Sequence, residues 1–89
     1  MPLKMLYFAW VREAAGTGEE TVEPPAEIAT VAALIEWLAT QDHAHATAFA
    51  DRKRLRAAVD HAFVSLDASI AGAREVAIFP PVTGGSTGA

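Results

Sequence analysis

Eighty-nine residues without a cysteine, carrying a formal charge of −4, describe one small domain with no disulfide staple and no thiol chemistry of its own. The acidic balance excludes a nucleic-acid surface, which needs clustered positive charge, and no apolar run approaches the roughly 18 residues of a membrane span. With 52% hydrophobic residues and no leader-like segment, the chain reads as a soluble, cytoplasmic domain that folds unaided.

The run LKMLYFAW (Leu3 to Trp10) is apolar and aromatic, long enough for a strand and too short for a self-capped helix. VREAAGTG follows and allows one helical turn before Gly16 and Gly18 end it. EETVE (Glu19 to Glu23) predicts a short strand closed by Pro24 and Pro25. Thr30 is a good N-cap. After it Val31, Leu34, Ile35 and Leu38 fall at i, i+3, i+4 and i+7, one face of a helix running to about Thr40. HATAFADR, rich in alanine, predicts a second, short helix. LRAAVD (Leu55 to Asp60), AFVSL (Ala62 to Leu66) and EVAIF (Glu75 to Phe79) alternate or run apolar and predict three more strands. This order fits an α+β, β-grasp domain: a mixed sheet of about five strands with one main helix and one or two short helices on a single face. The domain is expected over residues 1–81, with 82–89 as a flexible tail containing Gly84-Gly85.

Alternation then labels the faces of the sheet. Lys4 on the outside puts Leu6 and Phe8 there too. Arg56 does the same for Ala58 and Asp60 and leaves Leu55, Ala57 and Val59 to the core. Ser65 puts Phe63 out and Val64 and Leu66 in; Glu75 puts Ala77 and Phe79 out and Val76 and Ile78 in. The uncovered face thus collects Phe8, Phe63 and Phe79, and contiguous exposed apolar surface marks an interaction site. A register slip or bulge would instead turn some of these rings inward.

Catalytic side chains are scarce. His43 and His45 form an H-x-H beside Asp42, but zinc needs at least three convergent ligands and nothing local supplies the third. The histidines, His61 included, therefore read as solvated, with no metal site. Ser65 has no base partner, no phosphate-binding glycine loop occurs, and no carboxylate pair is tied to a cleft. Trp10 and Trp37 read as core or boundary residues, and the cluster Arg52, Lys53, Arg54 and Arg56 as a solvated loop. What remains is the ending FPPVTGGSTGA. Glycine lacks Cβ, so Gly84-Gly85 can pass a channel too narrow for other residues. A carboxylate on Gly85 would need activation: ATP could convert it to an acyl-adenylate, and a sulfur nucleophile replacing AMP would leave a thiocarboxylate.

LYFAWVREAAGTGEETVE, TVAALIEWLA, LRAAVDHAFVSLD and above all EVAIFPPVTGG resemble the family of small subunits of molybdopterin synthase, ubiquitin-like sulfur carriers, from about residue 3 to Gly85. The resemblance implies that the terminal glycine is adenylated by a partner related to ubiquitin-activating enzymes, which uses ATP and magnesium, and is then thiocarboxylated from a sulfur donor protein. It implies insertion of the tail into the large synthase subunit of a heterotetramer, where sulfur passes to cyclic pyranopterin monophosphate to build a dithiolene. Gly84 and Gly85 are then the reactive tail, and Phe8, Phe63, Phe79, Pro80, Pro81, Val82 and Thr83 the partner-facing residues. The chain itself would bind no cofactor, the catalytic lysines and the pterin and ATP sites belonging to the partners. Ser86 to Ala89 depart from the family, which stops at the second glycine: native residues removed by a protease, an expression scar, a fusion joint, or the mark of a copy that no longer carries sulfur. Three alternatives stand beside this reading: a ubiquitin-like modifier forming isopeptide bonds through Gly85, a carrier serving thiamin or cysteine synthesis, and a plain interaction module.

Overall fold

The first apolar run does two jobs. In the computed structural model, which describes residues 2–81, strand β1 covers Leu3–Tyr7 and helix α1 begins at Ala9, running to Ala15. The sequence reading, which carried the strand to Trp10, misses this break. Phe8 is still extended, but Ala9 turns at φ 54°, and the amides of Val11 and Arg12 then reach back to the Phe8 carbonyl. Val11 and Ala15, four residues apart, bury one face of a helix longer than the single turn expected. Gly16 ends it at φ 83°, a left-handed conformation that only glycine adopts without cost.

Strand β2 (Glu19–Val22) pairs back along β1, antiparallel. Helix α2 (Val31–Ala39) starts where Thr30 accepts a hydrogen bond from the Ala33 amide at 3.1 Å. Val31, Leu34, Ile35 and Leu38, the stripe expected from the spacing, are at most 1% exposed. Helix α3 covers His43–Ala48, capped by the Asp42 carboxylate on the His45 amide. It therefore starts earlier than HATAFADR suggested, and takes in His43 as well as His45. The basic cluster is not a plain loop either: Arg52–Arg54 form a 3₁₀ turn with Asp51 as its cap.

Strands β3 (Arg56–Val59) and β4 (Ala62–Val64) form a hairpin. Its two loop residues, Asp60 and His61, have φ of 48° and 74°, the signature of a type I′ turn matched to strand twist. Asp60 Oδ1 also accepts from the Arg74 and Glu75 amides and so pins the turn to the start of β5 (Glu75–Phe79). The sheet order is β2-β1-β5-β3-β4, with β1 and β5 parallel at its centre. Buried residues of all three helices share one core with Met5, Tyr7, Ala57, Val76 and Ile78; Val59, Val64 and Leu66 pack at its edge. This is the mixed five-stranded α+β sheet expected from the sequence, with its other face left open.

Candidate functional site

The open face is organised by one cross-strand row. Leu6 pairs with Ala77, Ala77 with Ala58, and Ala58 with Phe63, across β1, β5, β3 and β4. Alternation keeps all four on the outer side because their neighbours Met5, Val76, Ile78 and Ala57 are committed to the core. The two alanines make a low floor. Phe8, Phe63 and Phe79 rise around it, giving a shallow concavity of about 490 Å³ with His61 and Glu75 at its far end. Alternation placed Ala58 and Ala77 outside, and they are on the outer face, yet both are buried because taller side chains flank them. Phe8 is 49% and Phe63 83% exposed. The rings of Phe63 and Phe79 lie 5.6 Å apart, tilted by 48°, a favourable aromatic arrangement. The three phenylalanines named from the sequence thus meet on one surface.

The tail leaves from the centre of this architecture. Phe79 ends β5 opposite Arg56 of β3, and on the β1 side the Phe8 amide donates to the Ile78 carbonyl at 3.2 Å. Pro80 and Pro81 follow, half-buried; neither can donate an amide, so the ladder stops there. Val82, Thr83, Gly84, Gly85 and Ser86 to Ala89 lie outside the described residues.

The sequence reading errs on His45. It is buried, not solvated. Its Nδ1 lies 2.7 Å from Asp42 Oδ1 and its Nε2 2.6 Å from Glu20 Oε2, which also accepts the Tyr7 hydroxyl at 2.7 Å. A neutral imidazole carries one N–H and could satisfy only one of these carboxylates; the imidazolium satisfies both. Burial by itself works against the charge, but the hydrogen bonds to Glu20 and Asp42 outweigh it and hold the His45 pKa above the ordinary histidine value. Hydrogen bonds from the backbone and ring of His45 hold Asp42 below the usual carboxylate range. Burial, then the bond to Glu20, pushes the Tyr7 hydroxyl far up. This network lies on the helix side of the sheet and ties α3 to β1 and β2. The Asp42–His45 spacing is legible locally as a helix cap; Glu20 is 25 residues away and no sequence pattern announces it. His43 is exposed, and His61 stands 3.6 Å from Glu75 at the end of the open face. Among the described residues no three metal-ligating side chains converge, and no helix is long and apolar enough to cross a membrane.

Residues 5–85 match the ThiS family. The chain is 46% identical to the molybdopterin synthase sulfur carrier subunit of Escherichia coli K12, over 93% of this chain and 99% of that one. It is 32% identical, with the same coverage, to the Haemophilus influenzae Rd protein of the same name. Among solved structures, SAMP1 from Haloferax volcanii superposes with a TM-score of 0.70 at 26% identity, covering 96% of this chain and all of that one. A putative molybdopterin converting factor subunit 1 from Pyrococcus furiosus gives 0.67 at 31% identity, with 92% and 99% covered.

Proposed function

The chain belongs to the ThiS family, and from that membership we propose how its parts are used. It is a sulfur carrier of molybdenum cofactor biosynthesis, the small subunit of a molybdopterin synthase. The observation that carries this is 46% identity across 99% of a protein of that name, which excludes a likeness of fold alone. The fold is that of the ubiquitin-like carriers.

The finer steps are those that the family resemblance implies. Among the described residues the open face carries no convergent catalytic side chains, and the reactive group is a Gly85 carboxylate, freed by cleavage of the Gly85–Ser86 bond. An adenylyltransferase partner, using ATP and magnesium, converts that carboxylate to an acyl-adenylate. A sulfur nucleophile from a donor protein replaces AMP and leaves the thiocarboxylate. The tail then enters the large synthase subunit, and its sulfur passes to cyclic pyranopterin monophosphate to build the dithiolene. Phe8, Phe63 and Phe79, with Pro80 to Thr83, face these partners. The concavity shared by Phe8, Phe63 and Phe79 supports delivery in register of a tail with almost no side chains: the face docks, and the tail follows from β5, which runs through that face. Activation needs ATP, which sets the work in the cytoplasm.

The test is mass spectrometry of a chain ending at Gly85 after incubation with the adenylyltransferase, the sulfur donor and ATP. Replacement of one terminal oxygen by sulfur is the expected change. A ladder of heavier conjugates to other proteins would mean a modifier instead, and an unchanged mass would reduce the chain to an interaction module.

A further inference from the structure

Four of the chain's seven Lys and Arg residues fall between positions 52 and 56, on a chain whose net charge is −4. Their placement in the fold is what matters. β5 lies between β1 and β3. Arg54 lies two residues before β3, Trp10 lies in the first turn of α1, three residues beyond β1, and the Arg54 guanidinium lies 5.0 Å from the centre of the Trp10 ring. The pair therefore links the segment leading into β3 to the helix that follows β1, at the end of the sheet where β5 finishes. Arg56 stands opposite Phe79, the last residue of β5, and shares a second, smaller hollow with Phe63 and Phe79. The basic group is thus continuous with the aromatic face and borders the root of the tail.

Its members are held in place. Arg56 donates from Nη1 to the Lys53 and Leu55 carbonyls at 3.1 and 2.8 Å, and the Lys53 amide donates to Asp51. Arg52 is paired with Glu36 at 3.2 Å. Among the described residues Lys53, Arg54 and Arg56 have no carboxylate partner. Three exposed cations without carboxylate partners, bordering an apolar face, set up a local positive field that complements an anionic surface.

We propose that Lys53, Arg54 and Arg56 form a positively charged rim at the root of the tail, which steers the chain onto a partner whose tail-receiving opening is rimmed by carboxylates. This rests on the sulfur-carrier reading, in which the tail enters a partner protein. Reach separates the rim from the reacting group. Six residues lead from Phe79 to Gly85, and at about 3.3–3.6 Å each an extended insertion carries Gly85 roughly 20 Å away. The rim therefore acts at the mouth of the opening, not on ATP phosphates or the sulfur. Steering of this kind acts on the association rate and fades with salt.

Stopped-flow association of the full chain with its large synthase subunit tests this, in parallel with its adenylyltransferase. The variants are R54E/R56E, the charge-keeping R54K/R56K, R74E at the opposite end of β5 as a control, and Phe63→Ala on the aromatic face. Equal melting temperatures establish that each is folded. At low ionic strength R54E/R56E is expected to associate with at least one partner about tenfold or more slowly. The gap should close near 1 M salt, where the Debye length is about 3 Å. R54K/R56K and R74E should stay within about twofold of the parent chain, as steering depends on the charge near the opening. Unchanged or faster association of R54E/R56E with both partners overturns the rim, and so does a slowing that salt does not relieve. If Phe63→Ala weakens binding while the charge reversal does nothing, only the rim is wrong; if neither matters, the docking face fails as well.

Discussion

His45 Nε2 and Glu20 Oε2 meet at 2.6 Å and join helix α3 to the edge strand β2, with Asp42 on the other ring nitrogen. The bond requires a charged imidazole in a place from which solvent is nearly excluded, so it titrates with the fold. His45 has a folded pKa raised above the ordinary 6.5. Its contribution is therefore complete below that value and is lost as pH rises through the folded pKa. Asp42 works in the opposite sense, stabilising above its ordinary 3.8 and failing as pH falls through its depressed value. Urea midpoints of the parent chain and His45→Gln should differ most below the ordinary histidine pKa of 6.5 and converge as pH rises above it. A difference that is constant across this range would mean that the ring does not carry the proton.

The core prediction concerns α2. Leu34 is fully buried beneath the sheet, and truncating such a residue removes both transfer free energy and packing. Leu34→Ala should cost roughly 2–5 kcal/mol in chemical denaturation. A loss below about 1 kcal/mol would show that the helix stripe is not packed as described.

Phe63 separates folding from docking. It is 83% exposed and its ring packs against that of Phe79, so Phe63→Ala should change stability by no more than about 1.5 kcal/mol. As a central anchor of the proposed interface it should nevertheless carry about 2 kcal/mol or more of affinity for the large subunit. Calorimetric titration of the two folded chains decides, and equal affinities would remove the aromatic face from the interface. Phe79→Ala should also weaken binding, with a larger stability cost because that ring is half-buried.

The hairpin turn carries a local cost. His61 sits at φ 74° in a position that favours glycine. His61→Gly should raise stability by about 1 kcal/mol, the usual penalty for a side chain in that conformation. A lower melting temperature would mean that the pairing of His61 with Glu75 outweighs the strain.

Four residues follow Gly85. Extended, they carry a terminal carboxylate about 13 Å beyond it, whereas reactive geometry tolerates errors nearer 1 Å. The amide joining Gly85 to Ser86 is too inert to take its place. The 89-residue chain should therefore be inactive as a carrier and become active once Ser86 to Ala89 are removed. An ATP-dependent thiocarboxylation assay on chains ending at Gly85 and at Ala89, free of processing proteases, checks this. Equal rates would overturn it.

Residue periodicity made the helix side of the core and the aromatic face readable, because Val31 to Leu38 and the polar markers Lys4, Arg56, Ser65 and Glu75 each fix an orientation locally. Two features escaped for physical reasons. The break between β1 and α1 has no punctuation, since Phe8, Ala9 and Trp10 continue the apolar run and the turn is made by a positive φ at alanine. The burial of His45 depends on Glu20 and Tyr7, which only the folded sheet brings to it. Ala58 and Ala77 escaped more mildly: alternation gives the face on which a residue lies, not the height of its neighbours.

β5 contributes Val76 and Ile78 to the core, Ala77 and Phe79 to the concave face, and the anchor from which the tail departs. These three duties cannot be lost one at a time. A fluctuation that frees the strand empties the core, dismantles the docking surface and sets the tail adrift together. On the proposed reading, an activating partner that gripped the face before it met the glycine would thereby inspect the fold of its substrate and would spend ATP only on folded carriers.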